Sequence, residues 1–235
     1  MFLIAQNEIL RRLQRTLIDH DRYLYLLGGL RRTLVITLCA ALIGFVIGLI
    51  AATVKTKRRT GFFGRAAALL ADLYLTVVRG TPMAVQLLII YYVIFINSSL
   101  DRLAVAIIAF GINSGAYTAE IIRAGILSVE KGQTEAGRSL GFSPFGTMRY
   151  IVMPQALKNA IPNLCNEIII LLKETSIVGF IGVVDLTTAA MYIRAATYDS
   201  YTPLLTIMVV YLAMVIGLTA VLRRVERRLR RGDSH

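Results

Sequence analysis

The chain has 235 residues, 56% hydrophobic and 17% charged, with a mean hydropathy of +0.65. Ordinary soluble domains are about 45–50% apolar, so a soluble globular protein is excluded and an all-α, polytopic helical membrane protein is expected. The net charge of +12 fits cytoplasmic loops that set membrane orientation rather than nucleic-acid binding, because the basic runs hold no aromatic interleaving and no nucleic-acid motif.

Cys39 and Cys165 lie in apolar surroundings without a CxxC, and His20 and His235 are isolated, so neither a metal site nor a redox pair is expected. Residues 1–32 read as an amphipathic segment. Ile9, Leu10, Leu13 and Leu17 recur at helical spacing with Arg11, Arg12 and Arg15 between them, as in a helix lying in a membrane interface; an unstructured basic tail is the alternative. No cleavable signal is expected at the start. A first span is expected over 33–54, where Ala40, Ala41, Gly44, Gly48, Ala51 and Ala52 let another helix backbone come close. The basic loop after it is placed in the cytoplasm.

From Ala66 to Phe95 the apolar run is interrupted by Asp72, Arg79, Gly80 and Pro82. The residue before a proline is biased away from the helical conformation, so a helix before Arg79, a break at RGTP and a span over 82–96 are expected. The stretch 66–78 alone is too short to cross. A third span, 102–122, carries Asn113, Tyr117 and Glu120 on one face. Polar side chains in a span face a bundle interior or a water-filled path; helix–helix hydrogen bonding without a ligand is the alternative.

The longest polar break in the apolar chain, within 111–162, follows. Ile126, Val129, Ala136 and Leu140 mark one helix, which Gly141 is placed to end. Ser143 and Pro144 read as the N-cap and first-turn proline of a second helix, with Phe145, Met148, Tyr150 and Ile151 as its apolar face and Pro154 as its stop. The fourth span, 164–184, brings Glu167 and Glu174 into the bundle with Lys173. An intramembrane carboxylate is a functional-site hypothesis; a structural pairing with Lys173 or Arg79 is the alternative. Residues 185–202 read as an outside segment, 203–222 as the last span, and 223–235, with six arginines, as a cytoplasmic tail. Five spans place the N-terminus outside and the C-terminus inside. The domain expected is thus 33–222, with a cytoplasmic loop at about 124–160.

There is no GxxxxGK[ST], HExxH or GxSxG, so no enzymatic constellation is present. A membrane scaffold whose basic tail binds anionic lipid is a competing class.

Four motifs together resemble the membrane permease subunit of an ABC importer of the polar amino acid uptake (histidine/glutamine/arginine-type) family. The family's cytoplasmic signature is EAA, three residues, Gly, nine residues, Ile, one residue, Leu-Pro. Here Glu135-Ala136-Gly137 precedes Gly141, Ile151 and Met153-Pro154; Gly137 stands where the family has Ala, and Met153 where it has Leu. Arg79-Gly80-Thr81-Pro82 with Gln86 is similar to its RGTP–VQ segment. Ala116-Tyr117-Thr118-Ala119-Glu120 with Arg123 is similar to its AYxAEIxR segment. Asn166-Glu167 and Leu172-Lys173-Glu174-Thr175-Ser176 are similar to its NE…LKxTS segment.

The resemblance implies the five-span type I ABC importer permease fold in a prokaryotic inner membrane. It implies a second permease, identical or paralogous, an extracytoplasmic amino-acid-binding protein, and cytoplasmic ATPase subunits that hold the ATP and magnesium; this chain itself would hold no cofactor. Membrane lipid and a small polar amino acid complete the expected partners. Contact with the ATPase is expected from Glu135, Ala136, Gly137, Arg138, Gly141, Phe142, Ser143, Pro144, Phe145 and Met148. The substrate path is expected from Thr81, Gln86, Asn113, Ser114, Tyr117 and Glu167, with a basic amino acid favoured by the Glu167 carboxylate.

Overall fold

The computed structural model describes residues 11–56 and 61–230. Ile9 and Leu10 of the amphipathic segment, Lys57, Arg58 and Arg59 of the first basic loop, and 231–235 of the tail lie outside the described residues. All regular structure among the described residues is helical. The helices are α1 (Tyr23–Thr56), α2 (Gly61–Gly80), α3 (Met83–Ile94), α4 (Arg102–Leu127), α5 (Lys131–Ser139), α6 (Pro144–Thr147), α7 (Met153–Glu174), α8 (Leu186–Thr197) and α9 (Tyr201–Arg230).

Among the described residues four stretches are long and apolar enough to cross a membrane: Tyr23–Lys55, Gly61–Gly80, Arg102–Leu127 and Tyr201–Arg227. The second corrects the reading of 66–78 as too short, because the helix starts at Gly61 and gains Phe62 and Phe63. Conversely α3, the expected span over 82–96, rises only about 18 Å at 1.5 Å per residue, against roughly 30 Å of hydrocarbon. The break between α2 and α3 falls at Thr81-Pro82, as expected.

The centre of the fold is the contact of α1 with α4. Gly44 and Gly48 on α1 and Gly111 and Gly115 on α4 are each spaced by four, and each meets the other helix. A Cβ at Gly48 would sit 2.5 Å from Thr118 Cγ2 and 2.9 Å from the Ala119 nitrogen; one at Gly115 would sit 2.8 Å from Ile47 Cγ2. Close backbone approach through small residues is the general means of helix packing in lipid. Around this seam Ile36, Leu87, Phe110, Leu171, Val178 and Ile181 form the main buried cluster.

Two further elements differ from expectation, and a third, 185–202, is packed into the fold. The helix anticipated over 126–140 is divided: α4 stops at Leu127, Glu130 is extended (φ −57°, ψ 136°) and α5 begins at Lys131. Here the Ser128 hydroxyl donates to the Gly125 carbonyl and accepts from Asn159. Pro154 does not end a helix. A π-helical turn, Met148–Val152, precedes it, and the proline occupies the first turn of α7, where its missing N–H has no intrahelical partner to lose. Residues 185–202 are a packed element. Asp185 caps α8, accepting from the Thr187 and Thr188 amides and the Thr188 hydroxyl, and Ala189, Ala190 and Ile193 are buried with Leu26 and Ile207.

Helix α1 begins ten residues before the expected first span. The segment before it folds as a π turn, Gln14–Ile18, and a short 3-10 turn, Asp19–Asp21. Thr16 is buried there and donates to Asp199 Oδ2 at 2.9 Å, which ties this segment to the α8–α9 turn.

Candidate functional site

Two constellations can be built from the residues upward, one inside the bundle and one at the bend between α5 and α6.

Inside the bundle, α4 is the organising element. Asn113 and Ser114 are consecutive, about 100° apart on the helix, and they serve two different neighbours. On one side Asn113 Nδ2 donates to Gln86 Oε1 at 3.0 Å. Gln86 Nε2 in turn donates to the Val78 carbonyl (2.7 Å), the Thr81 carbonyl (3.0 Å) and Thr81 Oγ1 (2.8 Å). Gln86 thereby satisfies carbonyls that the RGTP break frees from helical bonding, which backbone at membrane depth requires. On the other side Ser114 Oγ donates to Glu167 Oε1 of α7 at 3.0 Å.

Tyr117 and Glu120, one and two turns further along α4, face α2. Arg79 lies 5.8 Å from the Tyr117 ring centroid and 3.6 Å from Glu120; Arg123 also pairs with Glu120. The partner of Arg79 is therefore Glu120, and the Arg79–Glu167 pairing weighed as an alternative is not formed. All six expected substrate-path residues cluster about α4, in the subgroups Thr81–Gln86–Asn113, Ser114–Glu167 and Tyr117–Arg79. Sequence reasoning missed Tyr74, whose hydroxyl donates to the Ile112 carbonyl at 2.6 Å. A tyrosine in an apolar helix carries no spacing signal that would have marked it.

At the bend, α5 ends in a glycine turn. Gly141 has φ +86°, and the Gly141 and Phe142 amides donate to the Arg138 and Gly137 carbonyls, a chain reversal that a left-handed glycine closes. Arg138 Nη1 donates to the Phe142 carbonyl at 2.6 Å. Ser143 caps α6 through a bond from the Gly146 amide at 3.0 Å, with Pro144 at its first turn, as the sequence predicts.

Ten residues were expected at this contact surface. Glu135, Ala136, Arg138, Gly141, Phe142, Ser143, Pro144 and Phe145 are exposed. Gly137 is buried, and a Cβ there would lie 2.6 Å from Ile151 Cδ1 and 2.9 Å from Thr147 Cγ2. Met148 is half-buried and packs with Ala52, Ile122, Ile126, Val152 and Ala156. Met148 holds the bend to the bundle, and Gly137 lets α5 pack against Thr147 of α6 and Ile151 of the turn that follows. Leu140, 77% exposed, and Tyr150, 65% exposed, join the open apolar surface with Phe145 at 70%. Leu140 was missed because its helical spacing matched the inward face of one continuous helix, which the break at 128–130 rotates away.

Residues 44–231 match the family described as binding-protein-dependent transport system inner membrane component. The chain belongs to that family. With the relatives that follow, this makes it a multi-pass ABC transporter permease of the amino acid uptake type, a transport component and not an enzyme. The permease is 38% identical over 212 residues to the arginine transport system permease protein ArtQ of Bacillus subtilis (strain 168), covering 89% of this chain and 94% of that one. It is 38% identical over 208 residues to the glutamine transport system permease protein GlnP of Escherichia coli (strain K12), covering 87% and 93%. Its fold superposes on the crystal structure of an amino acid ABC transporter with histidines at a TM-score of 0.81, with 39% identity over 90% of this permease and 97% of that chain. The inward-facing MetNI methionine ABC transporter matches at 0.74 with 21% identity, a likeness of fold alone.

Proposed function

We propose that this permease forms the translocation path of an ATP-driven importer for a polar amino acid and joins that path to cytoplasmic ATP-binding subunits through the α5–α6 bend. The observation that carries the reading is the pair of adjacent polar contacts on α4, Asn113–Gln86 and Ser114–Glu167. They supply an amide and a carboxylate side by side against one helix of the bundle, and a free amino acid presents a carboxylate, an ammonium and a side chain.

In this reading the Thr81–Gln86–Asn113 group handles the substrate carboxylate, and Glu167 accepts a cationic side chain or the α-ammonium. A basic amino acid (arginine, lysine or histidine) is the favoured substrate, because a buried carboxylate needs a cation or donors to offset its desolvation. The second reading is a neutral or acidic substrate (glutamine, glutamate or cystine) or a related amine such as an opine. The Gln86–Asn113 amide pair favours it, because it suits a carboxamide side chain, and Glu167 then reads only the ammonium.

The exposed Phe142, Phe145 and Leu140 with Glu135 form the surface that seats in the ATP-binding subunit. ATP and magnesium bind in that partner, a second permease copy or paralogue completes the path, and an extracytoplasmic binding protein delivers the amino acid. Closure of the ATPase pair then biases the permease between its inward- and outward-open states. The N-terminus lies outside and the tail inside.

Radiolabelled uptake in a strain lacking this chain, measured over arginine, lysine, histidine, glutamine, glutamate and cystine, tests the reading. Loss of one basic substrate supports the favoured form, loss of a neutral or acidic one selects the second, and unchanged uptake of all six overturns both for these amino acids.

A further inference from the structure

At the end of the bundle away from the α5–α6 bend, the segment before α1 and the α8–α9 turn line an open cavity of about 580 Å³. Its wall carries three arginines, Arg12, Arg15 and Arg22, together with His20. Two carboxylates share the wall, Asp19 and Asp199. Asp199 is already committed: it accepts from the hydroxyls of Thr16 and Thr202 and from the Tyr201 and Thr202 amides. Arg22 gives one N–H to the Arg15 carbonyl at 2.8 Å, which fixes its guanidinium at the wall with donors to spare. The Arg15 guanidinium has no hydrogen bond or ion pair among the described residues. The cavity therefore offers forked cationic donors, the geometry that suits phosphate oxygens.

A second chamber of about 320 Å³ shares His20 and Arg22 with the first and is otherwise lined by Tyr25, Tyr192, Ile193 and Ala196. Tyr23, Tyr25, Tyr192, Tyr198 and Tyr201 are all exposed around the two chambers, five of the eleven tyrosines in the chain. Such a belt marks headgroup depth in a bilayer. Leu24 and Leu27 of α1 and Leu205 of α9 are exposed nearby, an apolar rim suited to acyl chains. The described residues with positive φ that are not glycine are His20, Asp21 and Tyr198. His20 and Tyr198 line this wall and Asp21 follows His20 in the chain; strained backbone of this kind gathers where ligands are clamped.

We propose that this cavity binds the phosphate of an anionic phospholipid, held by Arg15 and Arg22, with the glycerol end of the lipid against Tyr25 and Tyr192. A soluble acidic protein surface would meet the arginines but would supply nothing for the aromatic chamber or for the apolar rim.

The test uses the permease in its complex with its partner subunits. The delipidated complex is titrated with phosphatidylglycerol or phosphatidylcholine and read by native mass spectrometry, with inorganic phosphate as competitor. We expect one tightly retained phosphatidylglycerol per permease, held at least tenfold better than phosphatidylcholine, and a loss of about fivefold for each of Arg15→Gln and Arg22→Gln. Equal retention of the two lipids overturns the proposal, and that comparison needs only the unmutated complex. Retention unchanged in the double variant also overturns it. Displacement by millimolar inorganic phosphate assigns the site to a free anion and overturns the lipid. Weakened binding of the extracytoplasmic protein with lipid retention unchanged assigns the face to that protein instead.

Discussion

Ser114 donates its hydroxyl to Glu167 across α4 and α7 at 3.0 Å, and both side chains are buried, at 2% and 8% exposure. A hydrogen bond to a charged group is worth about 1.5–3 kcal/mol. Ser114→Ala is therefore expected to reduce substrate-stimulated ATPase activity of the assembled transporter at least tenfold. Glu167→Ala is expected to abolish the stimulation. Glu167→Gln separates charge from shape, because the amide oxygen still accepts from Ser114. Stimulation retained in the glutamine variant would show that the carboxylate charge is not what the substrate meets.

The glycine seam between α1 and α4 yields a stability prediction. In Gly48→Ala the new methyl would meet Thr118 Cγ2 at 2.5 Å and the Ala119 nitrogen at 2.9 Å. The nitrogen is backbone and cannot turn aside. Overpacking of this kind costs about 1–3 kcal/mol, so the purified complex is expected to unfold at a visibly lower temperature. Gly217→Ala in α9, where nothing lies within 4 Å, serves as the control. It is expected to be neutral or stabilising, since alanine is the better helix former by about 1 kcal/mol.

The α1 side of that seam was legible in the sequence because it is a matter of spacing, small residues four apart on an apolar helix; Gly111 and Gly115 on α4 were not marked, because the polar residues around them drew the reading of that helix. The motif residues around α4 were legible for a related reason, since polar side chains at helical spacing share a face. Helix limits were less so. Pro154 reads as a stop until the π turn at Met148–Val152 is seen to relieve it. The start of α2 at Gly61 lies in a run whose basic residues read as loop. Arg79 illustrates a different limit. Its long side chain at a break could reach carboxylates on more than one helix, and only the packing of α2 on α4 selects Glu120.

The Thr16–Asp199 contact makes the docking of the N-terminal segment sensitive to acid. Burial alone would raise the Asp199 carboxyl, but hydrogen bonds from the Thr202 hydroxyl and amide, the Thr16 hydroxyl and the Tyr201 amide outweigh it and hold it below its ordinary value. A carboxyl lowered in the folded state contributes stability that is complete above its ordinary pKa of about 3.9 and is lost as pH falls through the folded value. The segment is expected to stay docked from neutral pH into mild acid and to release only in stronger acid. Pepsin cleavage at Leu13 and Leu17 reports the release. Asp199→Asn should allow cleavage already in mild acid, and equal protection in variant and parent would show that the carboxylate does not hold the segment.

The bend between α5 and α6 has to be rigid to transmit force, and Gly141 is where its rigidity is decided. At φ +86° any residue with a Cβ is strained, by about 1–2 kcal/mol. Nothing lies within 4 Å of the added methyl, so Gly141→Ala tests backbone conformation without a clash. It is expected to leave membrane insertion unchanged and to lower ATP-driven uptake several-fold. Glu135→Lys tests the surface itself. Glu135 is exposed on α5, so its reversal should cost the isolated permease no stability yet abolish uptake, if its carboxylate meets the ATP-binding subunit. Co-purification with that subunit separates the two variants: Gly141→Ala should still bind it, whereas Glu135→Lys should not. Normal uptake by Glu135→Lys would remove the EAA segment from the coupling surface.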